Sequence, residues 1–211
     1  MQVTGKVCVV TGGASGIGKA LCERFKAEGA AGIANDQDFL HGSVDPWDQQ
    51  WRINVMSHVH AVRAALPSML ERGEGYLQHT ASMAGILTSH GAAAYAATKH
   101  AVVGLAEWLS ITYHDQGIRV FLLAPLGVAT PMLDITSDFA KEAAGPIRTP
   151  EEVAGQVVDA FEVERFLILT DPQAAEWMTR KSEDLERWLR GMRRMQSRLA
   201  HSESWASSGR Q

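Results

Sequence analysis

Within GAAAYAATKHAVVGLA, residues 91–106, Tyr95 precedes Lys99 by four positions among small and apolar side chains. Positions i and i+4 of a helix share a face, so this spacing puts an ammonium beside a phenol in an apolar segment. A neighbouring cation favours phenolate. A tyrosine that loses its proton near pH 10 in water then becomes able to work as a general acid or base closer to neutrality. The structural alternative is a packed ring beside a lysine stem that snorkels to solvent.

A second candidate lies near the N-terminus. Residues 6–10, KVCVV, read as a valine-rich strand buried on both faces of a parallel sheet. The strand runs directly into TGGASGIG, where Gly12, Gly16 and Gly18 open a helical pattern from Ile17 to about residue 28, closed by Gly29. Without side chains the backbone turns tightly enough to approach a pyrophosphate, whose charge is met by amide hydrogens at the helix start. A lone glycine triplet is weak evidence, but one placed between strand and helix points to a dinucleotide.

The elements that must position these groups are unevenly represented. After Gly29 a nucleotide-binding half requires a second strand, a helix and a third strand, yet AAGIANDQDFLHGSVDP offers no strand. A helix then runs from Trp47 to about Leu70, carrying Trp51, Val55, Val59 and Val62. Either the sheet is small, or sequence is absent near the Ala30 to Ala31 junction. The second half is regular. Strands are predicted at 75–79, 118–124 and 166–170, with helices to about His114 and from Thr149 to about Val163, the latter opened by a capping box with Glu152. Alternating strands and helices with short links define an α/β protein with a parallel sheet.

The C-terminal region reads as one amphipathic helix over about 173–199, with Leu185, Trp188, Met192, Met195 and Leu199 on its apolar stripe, followed by a disordered tail at 200–211. The polar face is basic and would suit a membrane surface or an acidic partner, but an apolar stripe packed on its own domain or a sister subunit is the simpler expectation.

Composition excludes several function classes. With 211 residues, 45% of them hydrophobic, the chain can bury one core without a second domain, read here as 1–199. A net charge of −4 gives no global attraction to nucleic acid or to an acidic membrane. Cys8 and Cys22 are too few for a disulfide framework, and no stretch resembles a signal peptide or a membrane span, so a cytoplasmic protein is expected. His58 and His60, two apart on a helix, do not share a face, and no cluster supplies metal ligands, so no metal is expected. His79, His90, His100 and His114 read as ordinary polar positions, with His90 a candidate for lining a substrate cleft. A serine hydrolase is a rival because Ser82 coexists with histidines, but the chain has no GxSxG elbow and the tyrosine-lysine pair would be unexplained.

Taken together, the residues resemble the short-chain dehydrogenase/reductase family over about residues 3–170. TGGASGIG is similar to its cofactor loop, INV at 53–55 to its asparagine motif, and YAATK at 95–99 to its YxxxK signature, with Ser82 at the family's usual interval before Tyr95. The resemblance implies a Rossmann-like, doubly wound parallel sheet, here apparently lacking the second to fourth strands. It implies a catalytic tetrad of Asn54, Ser82, Tyr95 and Lys99, and an NAD or NADP site formed by Gly12, Ser15, Gly16, Ile17, Gly18, Gly32, Tyr95, Lys99, Pro125, Gly127, Val128 and Thr130. The activity implied is hydride transfer between the cofactor and a secondary alcohol or ketone, with Tyr95 moving the proton and Lys99 lowering its pKa. A homodimer or homotetramer is implied too, paired through the two long helices with Trp108 and Val59 among the candidate contacts.

The sequence also departs from the family. Pro125-Leu126 replaces its usual Pro-Gly, and its NNAG motif survives only as Ala31-Gly32. The region that selects between NAD and NADP is missing. The alternative reading is a non-catalytic remnant serving as a binding or interaction module.

Overall fold

The computed structural model describes Ile17, Ala20, Ile33, Ala34 and residues 39–133, 135, 136, 140 and 144–200. The predicted strand at 6–10, the glycines at 12, 16, 18, 29 and 32, Ser15, both cysteines, the Ala30 to Ala31 junction and the tail from 201 lie outside the described residues. Ile17 and Ala20 are helical, in keeping with a helix after the glycine loop.

Among the described residues, three parallel strands form one sheet in the order β1 (Gly75–Thr80), β2 (Ile118–Ala124), β3 (Leu167–Leu169). Strand β2 is apolar at every position but Arg119, because both its faces are covered. Ile118, Val120 and Leu122 meet Val62, Leu66, Val102 and Leu109 on one side. Phe121 and Leu123 meet Val153, Val157, Phe161 and Ala20 on the other, with the Phe121 and Phe161 rings 4.1 Å apart. Helices on both faces of a parallel sheet make a doubly wound α/β layer.

On the first face lies one long helical run. It begins as α1 (Asp45–Trp51), loosens into a π-turn (Arg52–Met56) and continues as α2 (Ser57–Arg72). Gly73 ends it in a left-handed conformation. Behind β1, the short α3 (Ala84–Leu87) leads to α4 (Ala93–Tyr113). The turn into β2 requires Gly117, at φ 82°, where a Cβ would stand 1.8 Å from the Gly73 carbonyl. On the opposite face, α5 (Pro150–Glu162) starts with the predicted box: Thr149 Oγ1 accepts from the Glu152 amide, and the Glu152 carboxylate accepts from the Thr149 amide.

The C-terminal prediction requires correction. The region forms two helices, α6 (Pro172–Glu183) and α7 (Leu185–Ala200). Asp184 divides them, because it adopts an extended backbone and its carboxylate accepts from the Arg187 amide at 2.8 Å. The apolar stripe packs on its own domain. Trp177, Met178 and Trp188 lie against Met83, Leu87, Ala124 and Ala174, and Leu199 is buried. Among the described residues, no helix is long and apolar enough to cross a membrane.

Candidate active site

Strand polarity sets where the site forms. The carboxyl ends of β1 and β2 lie side by side, and their pairing extends beyond the strands through Ala81 N donating to Leu123 O (2.8 Å) and Met83 N to Pro125 O (2.9 Å). Ligands of open α/β sheets bind at this edge. Ser82 follows β1 there, and α4 brings up Tyr95 and Lys99.

The close approach of α3 to α4 depends on Gly85. A Cβ at that position would lie 2.5 Å from the Lys99 carbonyl oxygen, so the backbone around Ser82 presses directly on α4. Ser82 Oγ accepts from the Ala84 amide at 3.1 Å, and its hydroxyl favours the ionised form of the Tyr95 phenol. Lys99, 5% exposed, has its Nζ 5.6 Å from the Tyr95 ring centroid and donates to Thr80 O at 3.0 Å. The i to i+4 pair thus shares a face as its spacing predicts.

The electrostatics differ from expectation. Burial pushes the Tyr95 phenol up, and the hydrogen bond with Ser82 opposes that rise. Burial also lowers the pKa of Lys99, to about 8, while its ammonium donates to Thr80 O.

Asn54 stands in the π-turn, 1% exposed. Its Nδ2 donates to Ile33 O (2.8 Å) and Thr98 Oγ1 (3.1 Å), while Oδ1 accepts from Ile33 N (2.8 Å). Both amide hydrogens are therefore used. Thr98 in turn donates to Tyr95 O at 2.8 Å. Asn54 thereby ties the chain at Ile33 to the first turn of α4, and a π-turn at this point is the irregularity often found at functional sites.

His58 and His79 were not legible as a pair. Their Nδ1 atoms stand 3.1 Å apart and their rings 5.1 Å, with His79 only 3% exposed. One nitrogen must donate and the other accept, and burial of both rings disfavours the charged imidazolium. Burial, followed by the charges of His79 and Lys99, lowers His58 to about 3; burial lowers His79 to about 4. The reading of His79 as an ordinary polar position is thus overturned, because strand alternation turns it inward with Leu77. His100 and His114 are exposed, as ordinary polar positions should be. His90 is half-buried and its Nδ1 lies 2.8 Å from Gln196 Oε1, linking the loop before α4 to α7. No group of three or more metal-ligating side chains occurs among the described residues.

Next to Ser82 runs the loop at 125–130. Pro125, Gly127 and Val128 are buried and Thr130 is half-buried. Leu126, where the family carries glycine, packs its side chain toward Trp177 in the cluster beneath α6.

A family model described as short chain dehydrogenase matches residues 30–140. The chain belongs to the short-chain dehydrogenase family and is an oxidoreductase of that class. It is 29% identical over 236 residues to 1-deoxy-11-beta-hydroxypentalenate dehydrogenase of Streptomyces exfoliatus, covering 82% of this chain and 86% of the relative. It is 27% identical over 223 residues to 3beta-hydroxysteroid dehydrogenase 2 of Eggerthella lenta, covering 72% and 86%. Among solved structures, a short chain dehydrogenase/reductase from Burkholderia phymatum in complex with NAD superposes with a TM-score of 0.75 at 24% identity, covering 88% of this chain and 96% of that one. A short chain dehydrogenase from Burkholderia cenocepacia in complex with NADP gives 0.76 at 16% identity, covering 91% and 99%. The Rossmann-like fold is therefore that of the family.

The first of these alignments also bears on the gap. At 82% of 211 residues, about 173 positions of this chain take part in an alignment of 236, so about 60 positions of the relative have no counterpart here.

Proposed function

We propose that the chain transfers a hydride between NAD or NADP and the carbon bearing the oxygen of a secondary alcohol or ketone, with Tyr95 as general acid and base. The observation that carries this reading is Lys99 Nζ over the Tyr95 ring, 5.6 Å from its centroid, on the helix packed against the turn that bears Ser82. The two hydroxyls would together hold a substrate oxygen and stabilise its developing charge.

The donor set fits a nicotinamide cofactor. Lys99 carries three N–H donors and, among the described residues, gives one of them to Thr80. The others suit ribose hydroxyls, and Val128 and Thr130 suit the nicotinamide carboxamide. When bound, the cofactor supplies or accepts the hydride. Tyr95 gives its phenolic proton to the substrate oxygen in reduction and recovers it in oxidation. Ser82 holds that oxygen, and Asn54 fixes the turn of α4 from which Tyr95 projects. A screen of ketones with NADH and NADPH tests this reading: cofactor oxidation dependent on ketone supports it, and no turnover with any combination overturns it.

The long helices support a second subunit. Trp51, Trp108 and Ile111 are 46%, 55% and 83% exposed on α1 and α4, an apolar array that a homodimer or homotetramer would cover. Light scattering at micromolar concentration should give twice or four times the chain mass, and Trp108→Arg should lower it; a monomeric parent contradicts this.

A further inference from the structure

The loop at 125–130 forms one wall of the site through the Met83 to Pro125 hydrogen bond, yet it has no regular secondary structure of its own. Its backbone is held by two segments distant in sequence. Gly127 N donates to Ala144 O at 2.7 Å, Ala129 N to Arg148 O at 2.9 Å, and Arg148 N to Gly127 O at 3.0 Å, so the main chain of Arg148 brackets Val128 in an isolated parallel bridge. Leu126 N donates to Thr170 Oγ1 at 3.2 Å, just past β3.

The side chain of Arg148 joins these two anchors. Its Nη2 donates to Asp171 Oδ2 at 2.8 Å, and Asp171 Oδ1 accepts from the Gln173 amide at 3.0 Å as the N-cap of α6. The Asp171 side chain is 9% exposed and that of Arg148 34%. A buried carboxylate shared between a guanidinium and a helix N-terminus has a fixed position. The bridge strand at 148 and the turn at 170–171 are therefore locked to one another, with the loop held between them. Arg148 lies on none of the site-forming strand ends and contributes no group to Ser82, Tyr95 or Lys99.

We propose that Arg148 and Asp171 are positioning residues whose ion pair holds the 125–130 loop as a rigid wall for the bound dinucleotide. The proposal rests on the function proposed above only for the identity of the ligand. The rigidity itself is a property of the unliganded chain.

The test therefore has two arms, applied to the full chain and to Arg148→Met, Asp171→Asn and Arg148→Lys. The first is amide hydrogen exchange without ligand. Gly127 and Ala129 should exchange about tenfold faster in the first two variants, roughly what loss of a charge-assisted hydrogen bond releases, and less so in Arg148→Lys. Leu122, whose amide is bonded to Phe166 O within the sheet, should be unchanged. The second arm is NADH and NADPH affinity by fluorescence titration, expected to weaken about tenfold in the same two variants with kcat at saturating cofactor changed little. Unaltered exchange at Gly127 and Ala129, or equal acceleration at Leu122, overturns the proposal whatever the ligand. Faster loop exchange with undiminished affinity also overturns it. A parent chain that binds neither dinucleotide sinks the functional reading and the proposed role of the wall, and leaves the exchange arm to decide the clamp alone.

Discussion

The Lys99 ammonium donates to the carbonyl of Thr80 at 3.0 Å with its Nζ 5.6 Å from the centre of the Tyr95 ring, so this cation is engaged by backbone before any ligand arrives. Such a group destabilises the fold that holds it. Its folded pKa of about 8 lies below the unfolded value of 10.5, so between these pH values the unfolded chain binds the extra proton and stability rises with pH. Below about pH 8 the cost of the buried charge is complete, at about 3 kcal/mol.

Lys99→Met should therefore be inactive and more stable at pH 7, by about 1 to 2 kcal/mol once the lost hydrogen bond is deducted. The advantage should shrink as the pH is raised toward 10.5. Thermal unfolding of parent and variant across that range checks it, and a variant less stable than the parent at pH 7 contradicts the burial argument.

The His58 and His79 pair acts in the acid range. Both folded pKa values, about 3 and about 4, lie below the unfolded 6.5, so the unfolded chain takes up protons first as the pH falls. Stability should decline from about pH 6.5 to about pH 4, by about 1.4 kcal/mol per pH unit for each group. Replacing both together, His58→Gln with His79→Gln, avoids stranding one partner and should flatten that decline in urea unfolding. An unchanged slope would contradict a neutral pair.

How much of this was legible in the sequence depended on how local the cause was. The strand IRVFLLA and the Thr149 to Glu152 box were readable because burial on two faces and a reciprocal cap are written in consecutive residues. The shared face of Tyr95 and Lys99 was readable from their i to i+4 spacing, whereas Ser82 was singled out only by the family's usual interval. The break at Asp184 was missed because the apolar stripe runs on through it, although an aspartate three residues before Arg187 is a capping signal. The π-turn and the His58 to His79 contact were out of reach, since both depend on partners at Ile33 and β1 that only folding brings near.

A shortened N-terminal half, as the sequence reading expects, would have a consequence for affinity. In this fold the adenosine end of the cofactor is held by elements following the first helix, and about 60 positions of the first relative have no counterpart in this chain. Reduced nicotinamide mononucleotide should bind within about tenfold of NADH, a difference under about 1.4 kcal/mol. Calorimetry with both ligands tests this, and NADH binding a thousandfold tighter would mean that an adenosine pocket is present.

The central claim is that the Tyr95 hydroxyl moves the proton. Tyr95→Phe removes that one oxygen, and its test is ketone-dependent oxidation of NADH or NADPH at saturating cofactor, beside the parent, with cofactor affinity measured separately. The account predicts that kcat falls by about a hundredfold or more while affinity and the unfolding midpoint stay close to the parent values. Turnover by Tyr95→Phe near the parental rate would contradict it.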